Sequence, residues 1–241
     1  MNETVRIKEV FDNWYYKGFS NTIGKYGLGD YTKSEIFNEF LKWSTFFEIL
    51  KYTKPYLPEY SILDAGCGNG NALRRLIEYG ADPAKCFGVD ISTDAIEFAK
   101  KQSPEAVNLQ QGFIDQLEFE DEKFDLVFCL GVLIHILDDE YIRKISREFY
   151  RVCKKDAIVI ILVSDADLAH NWGEDIAHTT RDFSVSQKEL QSLFPDFECL
   201  GFFDSHNDAY NERDTQPQIL HKLQSNRFNA DFKTFVFRPK L

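Results

Sequence analysis

The stretch Leu63-Asp64-Ala65-Gly66-Cys67-Gly68-Asn69-Gly70-Asn71-Ala72-Leu73 reads as the end of a strand, a glycine-rich turn and the start of a helix. Glycines without side chains let a ligand approach the backbone and permit turns closed to other residues, so this turn marks a candidate binding site. A dinucleotide fingerprint G-x-G-x-x-G needs its third glycine at the position held by Asn71; the spacing here is G-x-G-x-G, preceded by an acid. A pyrophosphate beside Asp64 would meet like charge, whereas a ligand end bearing an ammonium or a sulfonium is favoured there.

Outward from this turn, short apolar segments alternate with helical ones. The strand SILDA (61–65) leads through a helix at 70–79 to the strand CFGV (86–89), then come a helix at 93–101 and a short strand at 107–110. FDLVFCL (124–130), a helix at 140–152 and AIVIILV (157–163) continue the pattern; SQKELQSLF (186–194) reads as a helix, and ECLGFF (198–203) and KTFVFR (233–238) as the last two strands. Such alternation predicts an α/β fold, a Rossmann-like doubly wound sheet covered on both faces by helices. Residues 1–58 read differently: aromatic-rich amphipathic helices around a loop, GFSNTIGKYGLGDYT, with four glycines and two tyrosines. They are expected to form an N-terminal helical cap or lid, with residues 59–241 as the ligand-binding domain and the whole as one unit.

Twenty residues beyond Gly70, Asp90 closes the second strand, where a carboxylate can accept hydrogen bonds from both hydroxyls of a ribose. Its structural alternative is an N-cap for the helix that follows. D-x-G-x-G-x-G at 64–70, the acid at Asp90 and Gly131-Val132-Leu133-Ile134-His135-Ile136 together resemble the class I S-adenosylmethionine-dependent methyltransferases, especially their small-molecule branch. The resemblance covers residues 60–163 well, the C-terminal third by topology and residues 1–58 hardly at all. It implies seven strands, mostly parallel with the last reversed, and S-adenosylmethionine as cofactor. It places Asp64 and Gly66 against the methionine part, with the loop from Gly66 through Cys67 and Gly68 to Gly70 following the cofactor, Asp90 on the ribose, Ile91 on the adenine face and the Leu130 carbonyl on the ammonium. Relatives often read the adenine amino group with an Asp in a G-D-A-like segment; here the position holds Phe113 in Gly112-Phe113-Ile114-Asp115. Either Asp115 substitutes, or Phe113 stacks while the Ile114 backbone reads the base.

Methyl transfer from a sulfonium is an in-line displacement, so alignment and exclusion of water are the main tasks. His135 is a general-base candidate, with a packing histidine as its alternative reading. The polar stretch SDADLAHNWGEDIAHTTRDF (164–183) is the expected acceptor-binding loop, with His170, Trp172 and Arg181 as candidate substrate contacts, joined by Tyr26 from the N-terminal loop. Asp165, Asp167, His170 and His178 have no recognised metal-ligand spacing, and no metal is expected.

Composition narrows the acceptor. With 28 Lys and Arg against 39 Asp and Glu, the chain has a net charge of −11, which disfavours nucleic acid as a substrate. The pairs Arg74-Arg75, Lys100-Lys101 and Lys154-Lys155 read as solvated surface. No apolar run approaches the roughly 18–20 residues that span a bilayer, and the N-terminus lacks a secretory signal. Five separated cysteines suit neither a disulfide framework nor a zinc cluster. A cytoplasmic enzyme is expected, transferring a methyl group to oxygen or nitrogen of a small metabolite; the similarity of Gly131-Val132-Leu133-Ile134-His135-Ile136 to methylases near bacterial sugar-biosynthesis genes implies a sugar or natural-product intermediate. A protein methyltransferase and a non-catalytic cofactor-binding subunit are the alternatives, and the oligomeric state is left open.

Overall fold

Strand β4 (Phe124–Leu130) is apolar almost throughout and buried along its length, as a central strand covered on both faces must be. In the computed structural model, which describes residues 3–10, 43, 46, 47, 49–51, 53–164, 187–204 and 232–240, it lies in the middle of a seven-stranded sheet. The other strands are β1 (Ile62–Ala65), β2 (Cys86–Asp90), β3 (Asn108–Gln111), β5 (Cys153–Ser164), β6 (Phe197–Asp204) and β7 (Phe232–Pro239). Their order is β3-β2-β1-β4-β5-β7-β6. The pairings from β3 across to β5 are parallel, and β7 runs antiparallel to both β5 and β6. The sequence reading of a mostly parallel sheet with its last strand reversed is what the chain forms. Strand order reverses between β1 and β4, and in open α/β sheets the crevice beyond the strand ends at such a point is where ligands bind.

Helices α1 (Glu3–Val10), α2 (Asn71–Glu78), α3 (Thr93–Gln102), α4 (Asp139–Val152) and α5 (Gln187–Leu193) are described around the sheet. Local chemistry sets their ends. Ser92 caps α3, its hydroxyl accepting from the Ala95 amide at 3.3 Å, and Asp138 caps α4 by accepting from Glu140 N at 2.9 Å. Acids in the first turn of α4 and Arg151 in its last complement the helix dipole. The buried stripe of α4, including Ile142, Ile145, Phe149 and Val152, follows the helical period and packs on one sheet face with Val127, Val159 and Ile161. The opposite face is filled by Leu73, Leu76, Ile96, Leu126, Phe128 and Ile160.

The N-terminal part contributes to both cores. Ile7 of α1 is buried with Leu133, Ile134 and Ile136, whereas Trp43, Phe46, Ile49 and Leu50, all helical, bury against the other face, with Phe46 and Phe128 ring centroids 4.7 Å apart. Polar contacts fix α1 on the segment after β4: Arg6 Nη2 donates to the His135 carbonyl at 2.5 Å, Leu137 N donates to Glu3 Oε1 at 2.8 Å, and the Asp138 amide also bonds the Glu3 carboxylate. The segment between β3 and β4 is held in turn by Arg151, whose guanidinium donates to the carbonyls of Leu117 (2.9 Å) and Phe119 (2.7 Å) while pairing with Glu148 and Asp121. The expected lid loop at 18–32 and the acceptor loop, with Tyr26, His170, Trp172 and Arg181, lie outside the described residues.

Candidate cofactor site

The glycine turn leaves β1 at its C-terminal end and is tied at once to the neighbouring strand: Gly66 N and Cys67 N both donate to the Val89 carbonyl, at 2.8 and 3.0 Å. Gly66 stands at φ +87°, and a side-chain carbon there would overlap the Val132 methyl from the segment after β4. Only glycine meets both demands. Gly66→Ala is therefore expected to destabilise the fold by about 2–4 kcal/mol, lowering the melting midpoint by roughly 5–10 °C; an unchanged melting curve would show that the turn relaxes freely. Farther along, Arg74 of α2 reaches back to donate to the Asn69 carbonyl at 2.6 Å and contacts Ser103 Oγ at 3.4 Å. The turn is thus clamped from its own helix.

Asp90 is the hub. Its Oδ2 accepts from Gly68 N at 2.8 Å, its Oδ1 from Ser92 N at 2.9 Å, and its carbonyl from Gly112 N at 2.9 Å. One residue therefore holds the glycine turn, the entry to α3 and the start of the segment carrying Phe113 and Ile114. The capping residue of α3 is Ser92, so the N-cap alternative for Asp90 gives way to an Asx-type turn that positions the cap. A carboxylate has about four acceptor sites, and on each Asp90 oxygen one is taken by a backbone amide.

Asp64, at the end of β1, is only 2% exposed, and its Oδ2 makes no hydrogen bond. Burial, then the negative charge of Asp90, push its carboxyl up to about 7. Three buried thiols feel its charge as well: Cys67 in the turn, Cys86 and Cys129, all held above the ordinary thiol range, mainly by burial. The site is thus acidic, and an orphaned buried carboxylate oxygen calls for a cationic partner. This fits the ammonium-bearing end of the ligand that the resemblance implies.

The remaining candidates converge on the same sheet edge. Ile91 follows β2, Phe113 and Ile114 follow β3, and Leu130 ends β4; all four are half-buried. Asp115 accepts a hydrogen bond from Tyr141 Oη at 2.7 Å, which ties this acid to α4. His135 sits in the turn after β4, 3% exposed, and burial together with Arg6 lowers its pKa to about 4. It is a neutral imidazole at ordinary pH.

Tyr141, Glu3 and Arg6 escaped the sequence reading, and Arg74 entered it only as solvated surface, although it clamps the glycine turn. Arg74 falls one helical turn after Gly70, which is the signal that could have found it; the other three meet their partners across more than 25 residues. The solvated reading of the basic pairs holds for Lys100 and Lys101, which are exposed. It holds too for Lys155, which is exposed, and for Lys154, whose side chain is 41% exposed while paired with Asp125 at 2.8 Å; it fails for Arg75, whose guanidinium lies 5.1 Å from the Trp43 ring.

Sheet order, the acidic glycine turn and the Asp90 hub, taken with the family match within this stretch, support a class I S-adenosylmethionine-dependent methyltransferase domain. Residues 62–156 match the family model described as a methyltransferase domain. Among individual proteins, the uncharacterized methyltransferase YcgJ of Bacillus subtilis is 32% identical over 56% of this chain and 55% of its own. The tRNA U34 carboxymethyltransferase of Nautilia profundicola is 28% identical over 46% of this chain and 36% of its own. The chain thus spans about half the length of the first of these curated relatives and about a third of the second. The crystal structure of magnesium protoporphyrin IX methyltransferase from Synechocystis PCC 6803 with bound S-adenosylmethionine superposes with a TM-score of 0.65 at 14% identity, covering 100% of this chain and 98% of that one. Among the described residues no helix is long and apolar enough to cross a membrane.

Proposed function

We propose that the chain binds S-adenosylmethionine along the C-terminal edge of β1, β2, β3 and β4 and transfers its methyl group to an oxygen or nitrogen of a small metabolite. The observation that carries the cofactor reading is the buried, unsatisfied Asp64 oxygen beside a glycine turn whose Gly68 amide is already given to Asp90. A pyrophosphate would find that amide occupied and two carboxylates near; a methionine ammonium is favoured by the same two carboxylates. Asp64, Gly66, Cys67, Gly68 and the Leu130 carbonyl would hold the methionine end, Asp90 the ribose, and Ile91, Phe113 and Ile114 the adenine. When bound, the cofactor supplies an electrophilic methyl on a positive sulfur; the chain's part is to align the acceptor and exclude water.

The acceptors of the named relatives, a tRNA and a porphyrin, are chemically unrelated, so the choice of a small metabolite rests on this chain's charge balance. Within the same proposal, residues 1–58 act as a cap on a domain formed by 59–241, with Tyr26, His170, Trp172 and Arg181 on the acceptor side. The docking of α1 on the segment after β4 supports the cap.

Calorimetric titration with S-adenosylmethionine and its demethylated product tests the cofactor reading without knowledge of the acceptor. Binding of neither ligand would sink it; binding justifies screening sugars, amines and phenols, with basic proteins and RNA as competing acceptors. A base role for His135 has its own signature. Because its pKa lies near 4 in the ligand-free protein, the acidic limb of the kcat/KM profile for the acceptor is expected near 4 and is lost in His135→Gln, whereas a limb near 6.5 assigns the proton acceptor elsewhere.

A further inference from the structure

We propose, resting on the S-adenosylmethionine reading above, that Asp64 is a proton-exchanging anchor: neutral in the empty site, it releases its proton to solvent when the ligand's α-ammonium settles beside it, so that cofactor capture is coupled to pH.

Two carboxylates share this corner, and their surroundings differ. Asp90 receives two backbone amides, one on each oxygen, which favour its charged form. Asp64 is buried to the same degree, yet its Oδ2 has no donor at all. With one site furnished for a negative charge and the other not, the proton resides on Asp64. Its titratable neighbours give no help to an anion. Cys67 from the turn, Cys86 from β2 and Cys129 from β4 are all held in the neutral thiol form, and Asp90 repels it.

An ammonium reverses the balance. A neutral carboxyl beside a cation offers little, whereas an ionised one gains the Coulombic attraction of a poorly hydrated site. The charge of the ammonium acts on the Asp64 carboxyl as a whole, whose Oδ2 is sealed from solvent and has no donor to stabilise the anion. The bond that breaks is the Asp64 O–H, its electron pair stays on the carboxylate, and the proton passes to buffer. Both S-adenosylmethionine and S-adenosylhomocysteine carry the ammonium, and only the first carries the sulfonium. The ammonium assignment therefore requires both to release the proton.

For a free carboxyl titrating near 7, binding at pH 7 should release about half a proton, at pH 6 nearly a whole one and at pH 8 about a tenth. Affinity should fall up to about tenfold per pH unit below 7. The ligand's own amino group titrates at roughly 7.7–8.0 and adds proton uptake at the alkaline end. Asp64→Asn separates the two, because it keeps the ligand's contribution and deletes the carboxyl's.

The test is isothermal calorimetry of the full chain with each ligand at pH 6, 7 and 8, in pairs of buffers with different ionisation enthalpies. Proton release that grows from pH 8 to pH 6 with both ligands, and that Asp64→Asn abolishes, is the expected result. Binding without proton release at pH 6 and 7, release with S-adenosylmethionine alone, or release retained in Asp64→Asn would each overturn the proposal while leaving the cofactor reading intact. Binding of neither ligand would overturn the cofactor reading itself, and the anchor with it. Infrared spectra of the wild-type protein keep the test open should the variant fail to fold: a protonated-carboxyl band must be present without ligand and disappear on its addition, and its persistence is contrary evidence.

Discussion

Replacing Asp64 with Asn raises the melting midpoint of the ligand-free protein by about 5–10 °C at pH 8 and lowers it by a similar amount at pH 4. The reason is linkage. In the unfolded chain this carboxyl ionises at its ordinary value of 3.8, and in the fold at about 7, so the unfolded state holds fewer protons between those limits. Stability from this residue is intact below about pH 4 and is lost as pH rises through 7, to a total of about 4 kcal/mol. Asn removes the dependence, and part of the gain is offset by a buried amide without partners, about 1–3 kcal/mol.

His135 works in the opposite sense. Its pKa of about 4 in the fold, against 6.5 when unfolded, gives stability that is complete above 6.5 and lost as pH falls through 4. Between pH 4 and 6.5 the two slopes oppose each other in the wild-type protein, and Asp64→Asn uncovers the histidine's acid lability. Melting curves at half-unit intervals of pH check this. A variant whose midpoint tracks the wild type across the whole range would show that Asp64 is ionised in the fold.

Asp90→Ala is expected to weaken S-adenosylmethionine binding by at least a hundredfold, more than the loss of ribose hydrogen bonds alone would give. The substitution leaves Gly68 N and Ser92 N without their acceptor, and each hydrogen bond to a charged group contributes about 1.5–3 kcal/mol. It loosens the glycine turn and the start of α3 together, while the Asp90 carbonyl still holds Gly112. Asp90→Asn keeps one oxygen acceptor and is expected to fall between the two. Calorimetric affinities, with folding checked by circular dichroism, decide the matter; a folded Asp90→Ala protein that binds as well as wild type removes Asp90 from the site.

The sequence carried the fold in two signals. Alternation of apolar strands with amphipathic helices fixed the sheet, because a parallel strand buried on both faces can be built only from runs such as FDLVFCL. The spacing of Gly66, Gly68 and Gly70, with acids at Asp64 and Asp90, located the candidate site, because the requirement for a positive φ is written into residue type. Both signals are local and survive in one dimension.

What only the tertiary structure decided depends on residues far apart in the chain. That Asp90 serves the Gly68 amide and that Asp64 is left with an unsatisfied oxygen follow from β1 and β2 lying side by side. That His135 is a buried, neutral imidazole follows from α1 packing on the turn after β4, with Arg6 on its carbonyl. Burial and proximity set proton affinities, and neither is a property of residue type. A sequence names which groups can titrate; the fold determines at what pH they do so.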